Sequence, residues 1–222
     1  MGSYLRPTGP IAEDVLLASD PAACMSLAQL LVTRPLMANH SYGLWGYSGE
    51  TAGGRALTIH STGIGAPSAA TVLGELASHG ARRAIRVAAL PAGAGARVGE
   101  RFVVSSARAL DGTSRALGSG ELAHPDPALT ARLLATAGPD AREGRISSSD
   151  PGRTPAAGGI GELNGNSVAA DLETAALFAA GRTYGVATAA AFVAGPAAGS
   201  DGVLPPGLAE LAAACVAAFE GF

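Results

Sequence analysis

The segment from Arg55 to His79 most strongly constrains how this chain can fold, because it predicts a strand, a glycine turn and a helix without a break. Residues 55–62 have the apolar and β-branched character of a buried strand, which ends at Gly63 and Gly65. Pro67 then stands in the first turn of a helix, where proline is favoured. A strand that leads directly into a helix is the repeating unit of α/β proteins, so we expect strands that alternate with helices.

The same alternation continues through the rest of the chain, in apolar runs bounded by glycine, proline and polar residues. Further strands are predicted over residues 15–19, 84–89, 101–107 and 186–193. Helices are predicted over 22–31, 67–79, 127–137, 168–184 and 208–219, and a surface loop over 151–165. Elements of these lengths predict a single α/β domain over residues 1–222, with a central twisted, mixed β-sheet flanked by helices.

Composition excludes several classes of protein. The chain is 48% hydrophobic and 15% charged, which suits a folded core, and its net charge of −3 argues against a nucleic-acid partner. All fifteen basic residues are arginine, which excludes a Schiff-base lysine and a P-loop lysine. Two cysteines are too few for a disulfide framework, and neither a membrane-spanning stretch nor a signal peptide is recognised. We therefore expect a cytoplasmic protein without a membrane partner.

The four histidines, at positions 40, 60, 79 and 124, predict no metal site. They are scattered, and no pair of them has metal-ligand spacing with a cysteine or a carboxylate. Each is interpreted as a surface or strand-end histidine, so we expect neither a metal nor another cofactor.

Two features of the sequence are compatible with a bound anion. The backbone N–H groups of Gly63 and Gly65 can approach a ligand closely, and the helix that follows them favours negative charge at its N-terminus. The alternative is a tight turn without a ligand. Arg86 lies inside a predicted apolar strand, where a charge must be paired or face a ligand. Its alternative interpretation is a strand-end arginine that reaches solvent or a carboxylate.

Two carboxylates, Asp171 and Glu173, stand in the predicted alanine-rich helix. Side chains two residues apart on a helix point to different faces, so we expect these two to diverge. Small residues surround Glu173, which could therefore point into a pocket. A solvated position in the first turn, favoured by the helix dipole, accounts for it equally well.

These features occur together in an order typical of one family. The carrying segments are residues 57–70, Leu-Thr-Ile-His-Ser-Thr-Gly-Ile-Gly-Ala-Pro-Ser-Ala-Ala, then Ile85-Arg86-Val87, and residues 171–178, Asp-Leu-Glu-Thr-Ala-Ala-Leu-Phe. On them, the chain resembles the nucleoside phosphorylase superfamily, in its uridine phosphorylase and hexameric purine nucleoside phosphorylase branch. The resemblance runs from about Val15 to Val193. It implies a pentosyl transfer in which phosphate attacks C1′ of a ribonucleoside while the base departs.

The resemblance also implies a site for the nucleoside. Glu173 matches the second Glu of the family's Glu-Met-Glu motif, which binds the ribose hydroxyls, and Leu172 replaces the Met that packs on the sugar. Thr62, just before the glycine turn, is assigned to the same ribose site. Arg153 could meet a carbonyl of the base. No residue is identified as catalytic.

A phosphate site is implied beside the ribose. Arg86 matches a strand arginine that binds phosphate, and the N–H groups of Gly63 and Gly65 are expected next to it. His40 aligns with a phosphate-binding arginine that the neighbouring subunit donates across a dimer interface. These four residues are the predicted phosphate ligands.

Several positions depart from the family pattern. Ser19 stands where the family has a turn glycine, Ala23 where it has a phosphate-binding arginine, and Ala89 where it has a serine or threonine. Gly195 follows the last strand, where the purine branch has a catalytic aspartate. We therefore expect an altered, weak phosphate site in which Arg86 is partly exposed to water.

Three functions remain open on the sequence. The first is a nucleoside phosphorylase with a weak phosphate site, the second a nucleoside hydrolase, and the third a catalytically silent subunit that binds a ligand or pairs with an active paralogue. The resemblance implies a homodimer or homohexamer, with His40, Tyr42 and Trp45 near the dimer contact and Trp45 as its expected anchor.

Overall fold

The computed structural model describes residues 4–93, 95–150, 166–196 and 202–222. Within these ranges the strands are β1 (Asp14–Ala18), β2 (Thr33–Asn39), β3 (Gly46–Glu50), β4 (Ala56–Ser61), β5 (Arg83–Leu90), β6 (Arg101–Ala109), β7 (Leu122–Ala123), β8 (Arg142–Ser148), β9 (Ser167–Asp171) and β10 (Ala187–Ala194). The helices are α1 (Pro21–Leu31), α2 (Ala66–Ser78), α3 (Gly112–Ala116), α4 (Pro127–Thr136), α5 (Thr174–Tyr184) and α6 (Leu208–Phe219).

All of these strands join one mixed sheet in the order β2-β3-β4-β1-β5-β10-β6-β8-β9, and β7 pairs with β6. Strand β1 lies between β4 and β5 and is parallel to both, so that Leu16 pairs with Ile59 on one side and Ile85 on the other. The β6 strand runs antiparallel to β10 and parallel to β8. The expected α/β domain with a central mixed sheet and flanking helices is confirmed.

Helices cover both faces of the sheet. On one face α1, α4 and α6 pack together, and Leu27, Leu133 and Phe219 join the largest core cluster. On the other face α2 packs against α5, and Leu73 and Leu177 are fully buried there. This sandwich explains why β1 and β5 are almost continuously apolar, since both of their faces are covered.

The predicted strands and helices are present within a residue or two, with one exception. The helix expected over 168–184 begins only at Thr174, and residues 167–171 form β9, which pairs with β8 through Ile146 and Ala169. The periodicity of a short run of valine and alanine cannot distinguish a buried strand from a helix. Residues 167–171 form a strand because they pair with β8. Strands β2, β3, β7 and β8 are not predicted by the sequence pattern; β3 contains two glycines, β8 two arginines and two serines, and β2 a proline. The surface loop expected over 151–165 lies outside the described residues.

Candidate functional site

A cavity of about 550 Å³ opens at the carboxyl ends of β1, β5 and β9, beside the N-terminus of α1. Its polar wall is built from Ser19, Asp20, Arg86, Asp171 and Glu173. Its apolar wall includes Ala23, Ala89, Leu90, Leu172 and Leu208. Sites for small molecules commonly combine such a volume with an apolar lining and a few convergent polar groups.

The turn between β4 and α2 closes one side of this polar group. Gly63 and Gly65 have φ angles of +70° and +89°, which side chains rarely adopt, and a Cβ at Gly63 would lie 2.7 Å from Ser68 Oγ. Gly65 is the N-cap of α2, and its N–H donates to Glu173 Oε1 at 3.3 Å. The glycine turn therefore binds a carboxylate of the chain itself.

Glu173 is the N-cap of α5, in the connection that follows β9, and its side chain is buried. Its Oε2 accepts hydrogen bonds from Ser19 Oγ at 2.7 Å and from Thr62 Oγ1 at 3.4 Å. The same oxygen also accepts from Arg86 Nε and Nη2, at 3.2 and 3.1 Å. Among the described residues, Oε1 has only the long bond from Gly65, so this oxygen can accept further hydrogen bonds.

Arg86 is 3% exposed, which corrects the expectation that its guanidinium is partly exposed to water. Its Nη1 lies 3.2 Å from Asp171 Oδ2, and its Nη2 lies 3.1 Å from Glu173 Oε2. Burial by itself would lower the pKa of the Arg86 guanidinium, but Glu173 and Asp171 outweigh that effect and hold this pKa above its usual value. Arg86 is therefore a paired, charged group.

The expectation that Asp171 and Glu173 diverge is wrong, because neither residue lies within the helix. Asp171 ends β9 and Glu173 caps α5, so both carboxylates reach Arg86. Asp171 is also bound by the hydroxyls of Ser148 and Thr174, and by the N–H of Thr174. The connection between β9 and α5 thus carries a firmly anchored carboxylate and a less constrained one.

Comparisons with known proteins give a consistent picture. The chain is 35% identical over 80 residues to a DeoD-type purine nucleoside phosphorylase of Clostridium perfringens, and 36% identical over 80 residues to one of Jannaschia. Each match covers 36% of this chain and 34% of the relative, so the chain matches about a third of the length of these curated relatives. No protein-family model matches the chain.

The solved structure of uridine phosphorylase from Vibrio fischeri superposes on nearly the whole chain. The TM-score is 0.77, and the superposition covers 95% of this chain and 91% of that one at 24% sequence identity. Both comparisons support the resemblance of this chain to the nucleoside phosphorylase superfamily. At that identity the structural likeness establishes the fold alone.

In the structure of this chain, four of the predicted site residues meet at one point. Thr62, Gly65 and Arg86 all contact Glu173, and Leu172 lines the adjoining cavity. Gly63 shapes the turn beside them. Of the two other predicted residues, His40 is exposed and does not line the cavity of its own chain, and Arg153 lies outside the described residues.

One contact of the site had no signal in the sequence. In the sequence, Ser19 is notable only because it replaces a turn glycine of the family. In the structure, its hydroxyl donates to Glu173 and lies 3.4 Å from Arg86 Nη2. Ser19 and Glu173 are 154 residues apart, and no local pattern predicts a contact over that separation. Across the described ranges, no group of three histidine, cysteine or acidic side chains could hold a metal ion, and no helix could cross a membrane.

Proposed function

We propose that this chain binds a ribonucleoside in the cavity at the ends of β1, β5 and β9 and cleaves its N-glycosidic bond, with only weak use of phosphate. The observation that carries this proposal is the position of Glu173. Its carboxylate is buried at the cavity wall, and within the described part of the chain Oε1 has only one long hydrogen bond. An ionised carboxylate in that position can accept hydrogen bonds from both vicinal hydroxyls of a ribose.

The apolar wall supports a flat, largely apolar group beside the sugar. Leu90, Leu172 and Leu208 line the cavity together with the polar cluster. A nucleobase presents two apolar faces and a polar edge, so it fits such a wall better than a second charged group does. The names of the relatives, purine nucleoside phosphorylase and uridine phosphorylase, favour a nucleoside as the ligand.

The same cavity supports only weak phosphate binding. Ala23 and Ala89 line it at the positions where the resemblance leads one to expect an arginine and a hydroxyl. Arg86 already has two carboxylate partners. Each missing charge-assisted hydrogen bond removes about 1.5–3 kcal/mol of binding free energy, so we expect phosphate to bind with a Kd of about 1 mM or weaker.

The reaction proposed is attack at C1′ with departure of the base. An oxygen of phosphate forms the new bond to C1′ while the C1′–N bond breaks, and its electron pair leaves with the base. Positive charge develops on the ribosyl group in the transition state, and interactions that stabilise this charge accelerate the step. The carboxylate of Glu173 would lie beside the ribose that carries this charge.

A second candidate is a catalytically silent subunit that binds a nucleoside and does not cleave it. The closed cluster of Arg86 with Asp171 and Glu173 favours this candidate, because it binds the strand arginine with the chain's own groups. Such a subunit would bind a nucleoside in the same cavity. It would release no base, alone or with phosphate.

Base release from a panel of purine and pyrimidine nucleosides, measured with and without phosphate, tests these candidates. Slow release that increases with phosphate and shows little saturation supports the proposal. Release that is independent of phosphate identifies a hydrolase instead. Nucleoside binding without release identifies the silent subunit, and the absence of any nucleoside binding overturns the proposal altogether.

A further inference from the structure

We propose that Glu173 is an internal counter-anion that occupies the anion-binding groups of this cavity, so that phosphate can bind only after the Glu173 carboxylate leaves Arg86. This inference rests on the proposed function for the identity of the anion. Control of phosphate binding by the position of Glu173 goes beyond the weak binding that follows from missing phosphate ligands.

The groups held by Glu173 are the ones an inorganic anion would need. Oε2 receives Nε and Nη2 of Arg86, at 3.2 and 3.1 Å, while Oε1 receives the N–H of Gly65 at the start of α2. A guanidinium edge and a backbone N–H at a helix N-terminus are typical phosphate-binding donors. One carboxylate therefore satisfies both kinds of donor at once.

The net charge of the cluster also opposes the binding of phosphate. Arg86 contributes one positive charge against the two negative charges of Asp171 and Glu173. A phosphate dianion that enters the cavity meets a cluster that is already negative, and like charges in a buried site repel strongly. If Glu173 moves away, Arg86 and Asp171 remain as a neutral pair, and this repulsion falls.

Of the two carboxylates, Glu173 is the one able to move. Asp171 is fixed by Ser148 Oγ at 2.5 Å, by the hydroxyl of Thr174 and by backbone N–H groups. Among the residues that the structure describes, Glu173 has one short bond outside Arg86, from Ser19 at 2.7 Å, and its contacts with Thr62 and Gly65 are 3.4 and 3.3 Å long. Ser19 therefore acts as the positioning residue that holds Glu173 on Arg86.

Calorimetric titration with inorganic phosphate tests the inference on the full chain. In Glu173→Gln the side chain keeps its shape and loses its charge, so we expect phosphate to bind at least about tenfold more tightly than it binds the natural chain. The same substitution should weaken nucleoside binding, so the two affinities change in opposite directions. Merely structural damage at Glu173 would not strengthen phosphate binding.

Two matched variants show whether the effect is local. Glu121→Gln makes the same charge change in an exposed ion pair with Arg108, and it should leave phosphate affinity unchanged. The double variant Arg86→Gln with Glu173→Gln should lose the gain. An unchanged phosphate affinity in folded Glu173→Gln, an equal gain in Glu121→Gln, or a gain that persists in the double variant would each overturn the inference.

Thermal melting of each variant shows whether it is folded. If Glu173→Gln does not fold, Ser19→Ala takes its place, because it removes the short bond that holds Glu173 and leaves the charges intact. Phosphate affinity should then rise about threefold, and an unchanged value contradicts the inference. Failure of the natural chain to bind any nucleoside would overturn the proposed function alone, since the phosphate titrations need no nucleoside.

Discussion

Arg86 illustrates how one buried charge organises the whole site. The side chain is placed by a central strand, and its partners Asp171 and Glu173 come from a connection about 85 residues later in the chain. A buried charge is tolerated only when it is paired and hydrogen-bonded, so these three side chains depend on one another. Because they depend on one another, substitutions in the cluster should change the free energy of unfolding as well as ligand affinity.

Arg86→Ala should destabilise the fold by about 3–5 kcal/mol, because it leaves two buried carboxylates without a cation. Urea unfolding at neutral pH measures this loss. Arg108→Ala is the control, since Arg108 pairs with the exposed Glu121 and such a surface pair contributes about 0–1 kcal/mol. Equal losses in the two variants would show that the Arg86 cluster is not a linked unit.

Glu173→Ala should reduce the affinity for any nucleoside that binds by at least about tenfold, because it removes the acceptor for the ribose hydroxyls. Calorimetry with natural and variant chains provides the measurement, and Glu121→Ala provides the control for charge. A 2′-deoxynucleoside should lose less affinity than the ribonucleoside does. If the natural chain and the variant bind equally well, Glu173 does not contact the ligand.

Introducing the phosphate-binding groups that the resemblance leads one to expect should raise phosphate affinity. The triple variant Ser19→Gly, Ala23→Arg and Ala89→Thr places a guanidinium and a hydroxyl on the cavity wall, where both alanines now lie. Phosphate titration should show tighter binding than in the natural chain, whereas turnover should rise only if a group that stabilises the leaving base is present. Phosphate binding by the natural chain with a Kd in the micromolar range would contradict the prediction of weak phosphate binding.

At the scale of elements, the contact between β3 and β4 is built around a buried imidazole. His60 lies on β4 opposite Gly46 of β3, and a Cβ at Gly46 would be 2.3 Å from His60 Cδ2. The Nδ1 of His60 donates to the carbonyl of Ser61, while Nε2 has no hydrogen-bond partner in the described part of the chain. Burial lowers the pKa of His60 from 6.5 to about 4, and the Ser61 carbonyl only partly opposes this.

The lowered pKa of His60 predicts that the folded chain loses stability in acid. Between about pH 6.5 and 4 the unfolded chain binds a proton at His60 that the folded chain does not, so stability falls as the pH falls through this window. From pH 7 to pH 4, the natural chain should lose about 2–3 kcal/mol more than His60→Leu, which cannot titrate. Urea unfolding at each pH measures both chains, and parallel curves would contradict the prediction.

At the scale of the whole molecule, we expect the chain to assemble into an oligomer. Tyr42 is 72% exposed in the turn after β2, whereas Trp45 is half-buried and packs on the main core. Superfamily resemblance implies a dimer or a trimer of dimers through this region, and such interfaces use aromatic anchors. We expect Tyr42 to be one of these anchors.

Light scattering at micromolar concentration should therefore give a mass well above the 21.8 kDa of one chain. Tyr42→Glu should shift the mass toward the monomer, because it places a charge in an apolar contact. Val98→Glu, at a residue 76% exposed elsewhere on the surface, should leave the mass unchanged. A strict monomer for the natural chain would end the assembly prediction.

The sequence by itself determined the alternation of strands and helices and the glycine turn. Apolar runs at 15–19, 84–89 and 186–193 mark strands buried on both faces, and those strands form the centre of the sheet. Such runs are readable because burial on both faces demands apolar side chains at every position. Strands such as β3 and β8 carry no such signal, since their stability depends on the neighbours with which they pair.

Only the tertiary structure decided what the charged residues do. On the sequence, Arg86 could be paired or could face a ligand, and the fold makes it both a partner of two carboxylates and part of the cavity wall. Val168 belongs to a strand because β8 lies beside it, and this moves Asp171 and Glu173 out of the helix and onto the same guanidinium. Periodicity describes each segment separately, whereas these contacts depend on where distant segments meet.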